Sequence, residues 1–577
     1  MFGLSGKKIS EIVVESLVSV GVERVYGVAG DSLNGITEAM HKQKGIEWFA
    51  TRHEESAAFA AGAEALLTGK LTVCAGSCGP GNLHLINGLY DCQRNNAPVL
   101  AIAAHIPSGE IGSGYFQETH PEILFKECSV FCELASTPEQ VPRMLGLAMQ
   151  AAVSKRGVAV VVLSGDIALK KIDEDHYLPK LFYSQSKVTP LKAELQEIAA
   201  LLNEAKTVSL FCGSGCADAR EEIKQLCEKI KAPAVHTFKS KEYLDYDNPY
   251  DVGMTGFIGF SSGYFAMNSC EVLLLLGTSF PYRDFYPTKA KIIQIDLDGS
   301  QLGRRCTLEK GVVGDVKSTL QALLPLVGEK QDKDYLDAAV KHYQKVREGL
   351  EKLAQPTKKI IHPQYVAKLV SEHAADDAIF TADVGACCIW AARYLKMNGK
   401  RKLLTSFNHG TMANALSQAI GMQAVDKKRQ VIAFCGDGGF TMLMGEIITL
   451  LQQQLPIKVI IFNNGALGFV EMEMKAAGFA NQQPTTLDNP NFADMTKAIG
   501  IHSARVDDPQ ALEEAIKAAL SHDGPAVVDV KTNRLELSMP PTITFKEMFG
   551  FSLYMGKSIL NGEGSGLIDL AKSNLWR

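Results

Sequence analysis

Short β-rich runs alternate with longer helical patterns through most of this 577-residue chain. The runs occupy residues 71–75, 99–104, 158–163, 208–211, 272–276, 292–295, 431–434, 459–462 and 527–530. Alternation of this kind predicts βαβ units and parallel sheets. Length alone suggests about three or four domains. A hydrophobic content of 46% with 21% charged residues is enough for several large cores.

Two stretches read as connections. Residues 166–189 are polar and irregular and contain Pro179, while residues 329–363 are charge-rich, helical at first, and broken at Pro356 and Pro363. They divide the chain into 1–180, 190–330 and 360–535, followed by a tail over 536–577. The expected fold is α/β: three domains, each with a mainly parallel central sheet flanked by helices, plus the tail. Residues 545–577 are rich in aromatic and aliphatic side chains, among them Phe549, Phe551, Leu567, Ile568 and Trp576. Their charge is nearly balanced, so binding to a lipid surface would depend on apolar insertion. Packing onto the protein's own surface is the alternative.

Composition excludes other classes. A net charge of −5, with no basic block interleaved with aromatics, leaves no nucleic-acid footprint. The 13 cysteines are scattered, without zinc-ligand spacing, and read as buried or free thiols of a reducing cytosol. Lys7 and Lys8 precede residues 9–20, but Glu11 and Glu15 interrupt that segment, unlike a signal peptide. No apolar run approaches the roughly 18–20 residues of a membrane-spanning helix.

The sharpest chemical signal is Gly436-Asp437-Gly438-Gly439 after the run 431–434, answered by Asn463-Asn464 after the run 459–462. Mg²⁺ prefers oxygen ligands and combines one or two carboxylates with phosphate oxygens. Asp437 supplies a carboxylate, Asn464 a side-chain oxygen, and the Ala466 carbonyl a third ligand. The glycines admit phosphate close to the backbone, and a helix N-terminus beyond Gly439 adds N–H donors. A lone Gly-Asp-Gly is commonly just a turn. The pair, in this order and each after a strand, predicts a cation and diphosphate cradle.

Gly436-Asp437-Gly438 with Asn463-Asn464 resembles the signature of thiamine-diphosphate enzymes. Thr51-Arg52-His53-Glu54-Glu55 resembles the segment that carries their cofactor-activating glutamate. Gly30-Asp31-Ser32, Gly79-Pro80-Gly81-Asn82, Tyr115-Phe116-Gln117-Glu118 and Ser406-Phe407-Asn408-His409-Gly410 extend the likeness to the quinone-dependent pyruvate oxidases of bacteria, over essentially the whole chain. The resemblance implies that Glu54, rather than its neighbour Glu55, hydrogen-bonds the cofactor's pyrimidine and so drives proton removal from the thiazolium carbon. It also implies that Met412 bends the cofactor, with further contacts from Gly410, Thr411, Asp437, Gly438, Gly439, Asn464, Ala466, Leu467 and Gly468.

Pyruvate needs apolar walls that favour loss of CO₂ and a few polar groups to hold the acid. The resemblance implies Phe116 and Gln117 on one side. Phe469, Val470 and Glu473 lie on the other, on one helical face by their spacing. Phe469 resembles a residue that moves into the site on activation. In the middle segment, Phe211-Cys212-Gly213-Ser214-Gly215-Cys216 lacks the third glycine of a nicotinamide fingerprint, because Asp218 stands there. The resemblance implies instead an FAD site at Thr255, Gly256, Phe257 and Ile258, and at Thr278, Ser279, Phe280, Pro281 and Tyr282. Asp296 is placed to accept from a ribose hydroxyl; an empty relic domain is the alternative.

The implied reaction is oxidative decarboxylation of pyruvate to acetate and CO₂, with thiamine diphosphate, Mg²⁺ and FAD as cofactors and a membrane quinone as final acceptor. The tail is then membrane-binding: docked at rest, and released onto phospholipid when substrate reduces the flavin. The enzyme is accordingly expected in the cytoplasm, peripheral on the cytoplasmic face of the cell membrane when activated. Sites between two subunits imply a dimer at minimum and a homotetramer as the usual state. An acetolactate synthase-like carboligase, a phosphate-dependent pyruvate oxidase and a catalytically retired peripheral membrane protein are the rival readings. Intact Glu54, Asp437 and Asn464 argue against the last.

Overall fold

The computed structural model describes residues 6–172, 178–184, 187–536, 553–555 and 557. Three six-stranded parallel sheets follow one another along the chain. In spatial order the first contains Glu47–Ala50, Arg24–Gly27, Thr72–Gly76, Val99–His105, Val158–Ser164 and Phe131–Ala135. The third contains Lys402–Thr405, Ile379–Ala382, Val431–Gly436, Lys458–Asn463, Ala526–Lys531 and His502–Val506. Numbered along the chain, both sheets read 2-1-3-4-6-5. The middle sheet reads 3-2-1-4-5-6, from Val208–Cys212 as its first strand to Lys310–Val313 as its sixth.

Helices cover both faces of each sheet, which is why the central strands are continuous apolar runs rather than alternating ones. Val99–His105, Val158–Ser164 and Val272–Leu276 are buried along their whole length. The α/β class and its three parallel sheets are as the sequence predicts.

The first and third domains share one core. Helix Glu54–Thr68 lies against helix Asn414–Val425, with Ala57, Ala60, Ala61, Ala415 and Ala419 all buried in the same cluster. Small residues let the two backbones come close: a Cβ on Gly421 would lie 2.0 Å from the Ala60 carbonyl oxygen. The linker read as irregular over 166–189 in fact begins with helix Gly165–Leu169 and strand Lys171–Ile172, which pairs antiparallel with Lys7–Lys8. Both elements are too short to leave a periodic signature.

The second connection opens with helix Asp334–Leu353, whose Tyr335 hydroxyl donates to the Ala266 carbonyl at 2.6 Å. No helix among the described residues is long and apolar enough to cross a membrane. The tail expected over 536–577 lies outside the described residues, apart from Glu536, 553–555 and 557.

Candidate active site

Strand order in the third sheet reverses between Ile379–Ala382 and Val431–Gly436, and ligand crevices open at the carboxyl ends of strands at such a point. Asp383 leaves one strand there and Asp437 the other. The helix begins at Asp437 and runs to Met442, not beyond Gly439, so the Gly438 and Gly439 amides belong to its first turn. Asp437 Oδ1 accepts from the Gly438 N–H at 2.9 Å, and Oδ2 accepts from the Gly465 N–H at 2.7 Å and from Asn489 Nδ2 at 2.8 Å. Burial pushes the Asp437 carboxyl up to about 6. Asn464 Oδ1 accepts from the Ala466 N–H at 3.0 Å.

Asp383 faces this loop and is 2% exposed. Its Oδ1 accepts from the Ala415 N–H at 2.8 Å, while Oδ2 has no partner among the described residues. Burial raises this carboxyl to about 7. A Cβ on Gly439 would fall 2.3 Å from that free oxygen, so the turn closes only with glycine.

Gly410, Met412, Asp437, Gly438, Gly439, Asn464, Ala466, Leu467, Gly468, Phe469 and Val470 line one cavity. Thr411 is turned elsewhere, its hydroxyl accepting from Asn87 Nδ2 at 2.9 Å. A second cavity is lined by the loops 255–258 and 278–282, together with Lys239, Phe407 and Glu473. It opens at the carboxyl ends of the middle sheet, where the order reverses between Val208–Cys212 and Val272–Leu276. Val384, Gly385, Gly410 and Phe469 line both cavities, so Phe469 stands at their common wall. Burial raises the Glu473 carboxyl. Asp296 lies outside the lining of the second cavity, and its carboxylate accepts from the Asp298 N–H at 3.0 Å.

Helix Gly468–Ala476 carries Phe469 and Glu473. Its far end meets the few described tail residues. The Tyr554 hydroxyl accepts from Gln482 Nε2 at 3.2 Å, its ring faces Lys475 Nζ at 5.8 Å, and Lys557 Nζ donates to the Gly478 carbonyl at 2.9 Å.

In the first domain Glu54 opens helix Glu54–Thr68 and is buried. Its Oε2 lies 2.9 Å from His84 Nδ1, whereas Glu55 accepts from Asn87 Nδ2 at 2.7 Å. The two acids therefore face different partners. Phe116 is 79% exposed. Gln117 adopts φ +63° and accepts from the Cys78 thiol at 3.4 Å. Neither cavity takes a lining residue from the first domain. Within one chain, Glu54, Phe116 and Gln117 are not brought to Asp437. His84, Asp383 and Asn489 are polar members of these sites absent from the sequence reading; a lone His within the helix Pro80–Asn95, or a lone Asp or Asn in a loop, carries no local signal.

Residues 7–123 match the N-terminal TPP binding domain of thiamine pyrophosphate enzymes, 195–323 their central domain and 383–530 their C-terminal TPP binding domain. The putative thiamine pyrophosphate-containing protein YdaP of Bacillus subtilis (strain 168) is 37% identical over 571 residues, 99% of each chain. The chain belongs to the thiamine pyrophosphate enzyme family. Among its relatives, the pyruvate oxidase of Lactiplantibacillus plantarum is 28% identical over 528 residues, 90% of this chain and 87% of its own. The acetolactate synthase isozyme 2 large subunit of Escherichia coli is 30% identical over 537 residues, 92% and 96% of the two chains.

Membership indicates thiamine diphosphate, and the residues present suit it. Asp437, the Asn464 side chain and the Ala466 carbonyl form an all-oxygen set for a hard cation such as the Mg²⁺ usual in this family. Of the first-turn amides, that of Gly438 is turned to Asp437 Oδ1, and that of Gly439 is a donor for a diphosphate. Asp383 contributes a buried acceptor with a free lone pair beside them.

Proposed function

We propose that the protein converts pyruvate, water and a membrane quinone into acetate, CO₂ and quinol, using thiamine diphosphate, Mg²⁺ and FAD. The observation that carries this reading is the common wall at Phe469, where the cation cavity meets the cavity of the loops 255–258 and 278–282. An electron pair released in one cavity has an acceptor site next door. The order 3-2-1-4-5-6 of the middle sheet is one that binds dinucleotides at its reversal point, which suits FAD.

Bound thiamine diphosphate supplies a carbon nucleophile and an electron sink for decarboxylation, and bound FAD a two-electron acceptor. The chain's part is to hold and orient. Asp437, Asn464 and Ala466 would ligate the cation, and the Gly439 N–H would donate to a phosphate oxygen. Met412 walls the cavity, and Phe469 with Val470 makes its mouth apolar. Glu473, kept closer to neutrality by burial, is suited to moving a proton at the substrate. Glu54 is suited to hydrogen-bond the cofactor's pyrimidine. Because it lies away from the Asp437 cavity of its own chain, we assign it to the cavity of a second copy. A dimer is then the minimum, and a tetramer suits the family resemblance. The tail residues at Gln482 and Lys475 suit a segment that rests on the substrate helix and leaves it for phospholipid on the cytoplasmic face of the membrane.

Acetolactate synthase-like carboligation is the second reading, favoured by a relative of that name at 30% identity over nearly the full chain. One assay separates them. Pyruvate, thiamine diphosphate and Mg²⁺ are supplied, and flavin bleaching and reoxidation by a soluble quinone are followed with and without phospholipid vesicles. Acetate with quinone reduction, stimulated by vesicles, is the expected result. Acetolactate as main product would replace the oxidase reading; acetyl phosphate with peroxide would replace the quinone.

A further inference from the structure

We propose that Glu446 is a positioning residue for Glu54, acting from the third domain through the backbone of Arg52 and His53. The proposal rests on reading Glu54 as the cofactor-activating acid.

Glu446 ends the turn Met444–Glu446, just after the cation-loop helix Asp437–Met442, and is 1% exposed. Its Oε1 accepts from the Arg52 N–H and from the His53 N–H, each at 2.9 Å. Its Oε2 accepts from the Thr449 hydroxyl at 2.7 Å. The segment that follows grips the same stretch. Gln452 Oε1 accepts from Arg52 Nη2 at 2.5 Å, and Gln453 Nε2 donates to the Ala50 carbonyl at 3.4 Å.

A buried carboxylate is costly unless donors surround it; here two of the three donors are the backbone amides that lead into Glu54, and the third, Thr449, lies in the helix Ile447–Gln452 that follows Glu446. Hydrogen bonds to a charged acceptor are about twice as strong as neutral ones. Two successive amides held on one oxygen fix the peptide planes of Arg52 and His53, and with them the point where helix Glu54–Thr68 begins. His53 then caps the helix, its Nδ1 accepting from the Glu55 N–H at 3.1 Å. The Glu54 carboxylate is thus set by two groups outside its own segment: His84 at the side-chain end and Glu446 at the backbone end.

The test uses the full-length protein with thiamine diphosphate and Mg²⁺. Glu446→Met keeps the volume and removes the acceptor; Glu446→Gln keeps an acceptor oxygen. The readouts are deuterium exchange at the cofactor's thiazolium C2 after acid quench, cofactor affinity, and amide exchange of residues 50–56 in the apoprotein. Glu446→Met is expected to slow C2 exchange about tenfold or more, with affinity changed less than about threefold and amide exchange accelerated. Glu446→Gln is expected to restore C2 exchange to within about threefold of wild type. C2 exchange in Glu446→Met within that same margin, or failure of Glu446→Gln to restore it, overturns the proposal. Should Glu446→Met not fold, Thr449→Val, which removes only the hydroxyl that orients Oε2, is expected to slow C2 exchange measurably; an unchanged rate overturns the proposal. Glu54→Gln runs in parallel. Wild-type exchange in that variant defeats the reading of Glu54 itself, whereas slow exchange there with normal exchange in Glu446→Met defeats only the role of Glu446.

Discussion

Asn489 Nδ2 spends one hydrogen on Asp437 Oδ2 and the other on Asn463 Oδ1, the latter at 3.1 Å. It thereby ties the acid of one strand end to the amide pair of the next. Partners that orient a ligand typically contribute 10–100-fold to metal affinity. Asn489→Leu is accordingly expected to raise the Mg²⁺ dissociation constant about tenfold while thermal stability changes little, read by titrating Mg²⁺ against thiamine diphosphate binding. The placing of Asp437 and Asn464 at neighbouring strand ends is legible in the sequence because each follows its own apolar run, so strand, turn and polar side chain appear in order. Asn489 has no such context, since it reaches Asp437 across 52 residues by folding alone. Asp383 follows a strand, but nothing local says that its free oxygen lies beside Gly439 of the neighbouring strand end.

At the scale of elements, the loop 255–258 is held by a residue of another domain. Arg393, in helix Ala386–Tyr394, is buried and donates through Nε to the Ile258 carbonyl and through Nη2 to the Gly259 carbonyl, both at 3.1 Å. Burial lowers its pKa to about 10, so it stays charged at neutral pH. Arg393→Met keeps the apolar stem and frees both carbonyls. It is expected to weaken flavin retention about tenfold with thiamine diphosphate affinity unchanged, measured from the fluorescence of released flavin. Element type and order are largely visible in the sequence, because strands buried on both faces leave continuous apolar runs. Short elements such as Gly165–Leu169 are not, because they span less than two turns. The docking of one domain's helix on another domain's loop is also invisible, since it uses backbone carbonyls, which every residue has.

At the scale of the molecule, the three domains meet around Asp91. This carboxylate accepts from Asn95 Nδ2 and Gln418 Nε2, each at 3.0 Å, and Lys239 of the middle domain donates to the Asn95 carbonyl at 3.1 Å. Burial pushes Asp91 up to about 6 from the 3.8 of an exposed aspartate. A raised carboxyl favours the protonated folded form, so its contribution is complete below about pH 4 and is lost as pH rises through about 6. Asp91→Asn removes the titration. The stability of the variant relative to wild type is therefore expected to improve, by on the order of 3 kcal/mol, between pH 4 and pH 7. Denaturant unfolding of the apoprotein at both pH values checks this. The separation of Glu54 from the Asp437 cavity of its own chain has a genetic corollary. If each site borrows its acid from a second copy, Glu54→Gln and Asp437→Asn are each inactive alone, yet a mixed dimer assembles one site from the two intact halves and one from the two damaged halves. Random re-association of equal amounts makes about half the dimers mixed, so roughly a quarter of wild-type activity returns. Two dead proteins would complement each other in one tube, and a chain that completed its own site would show no such recovery.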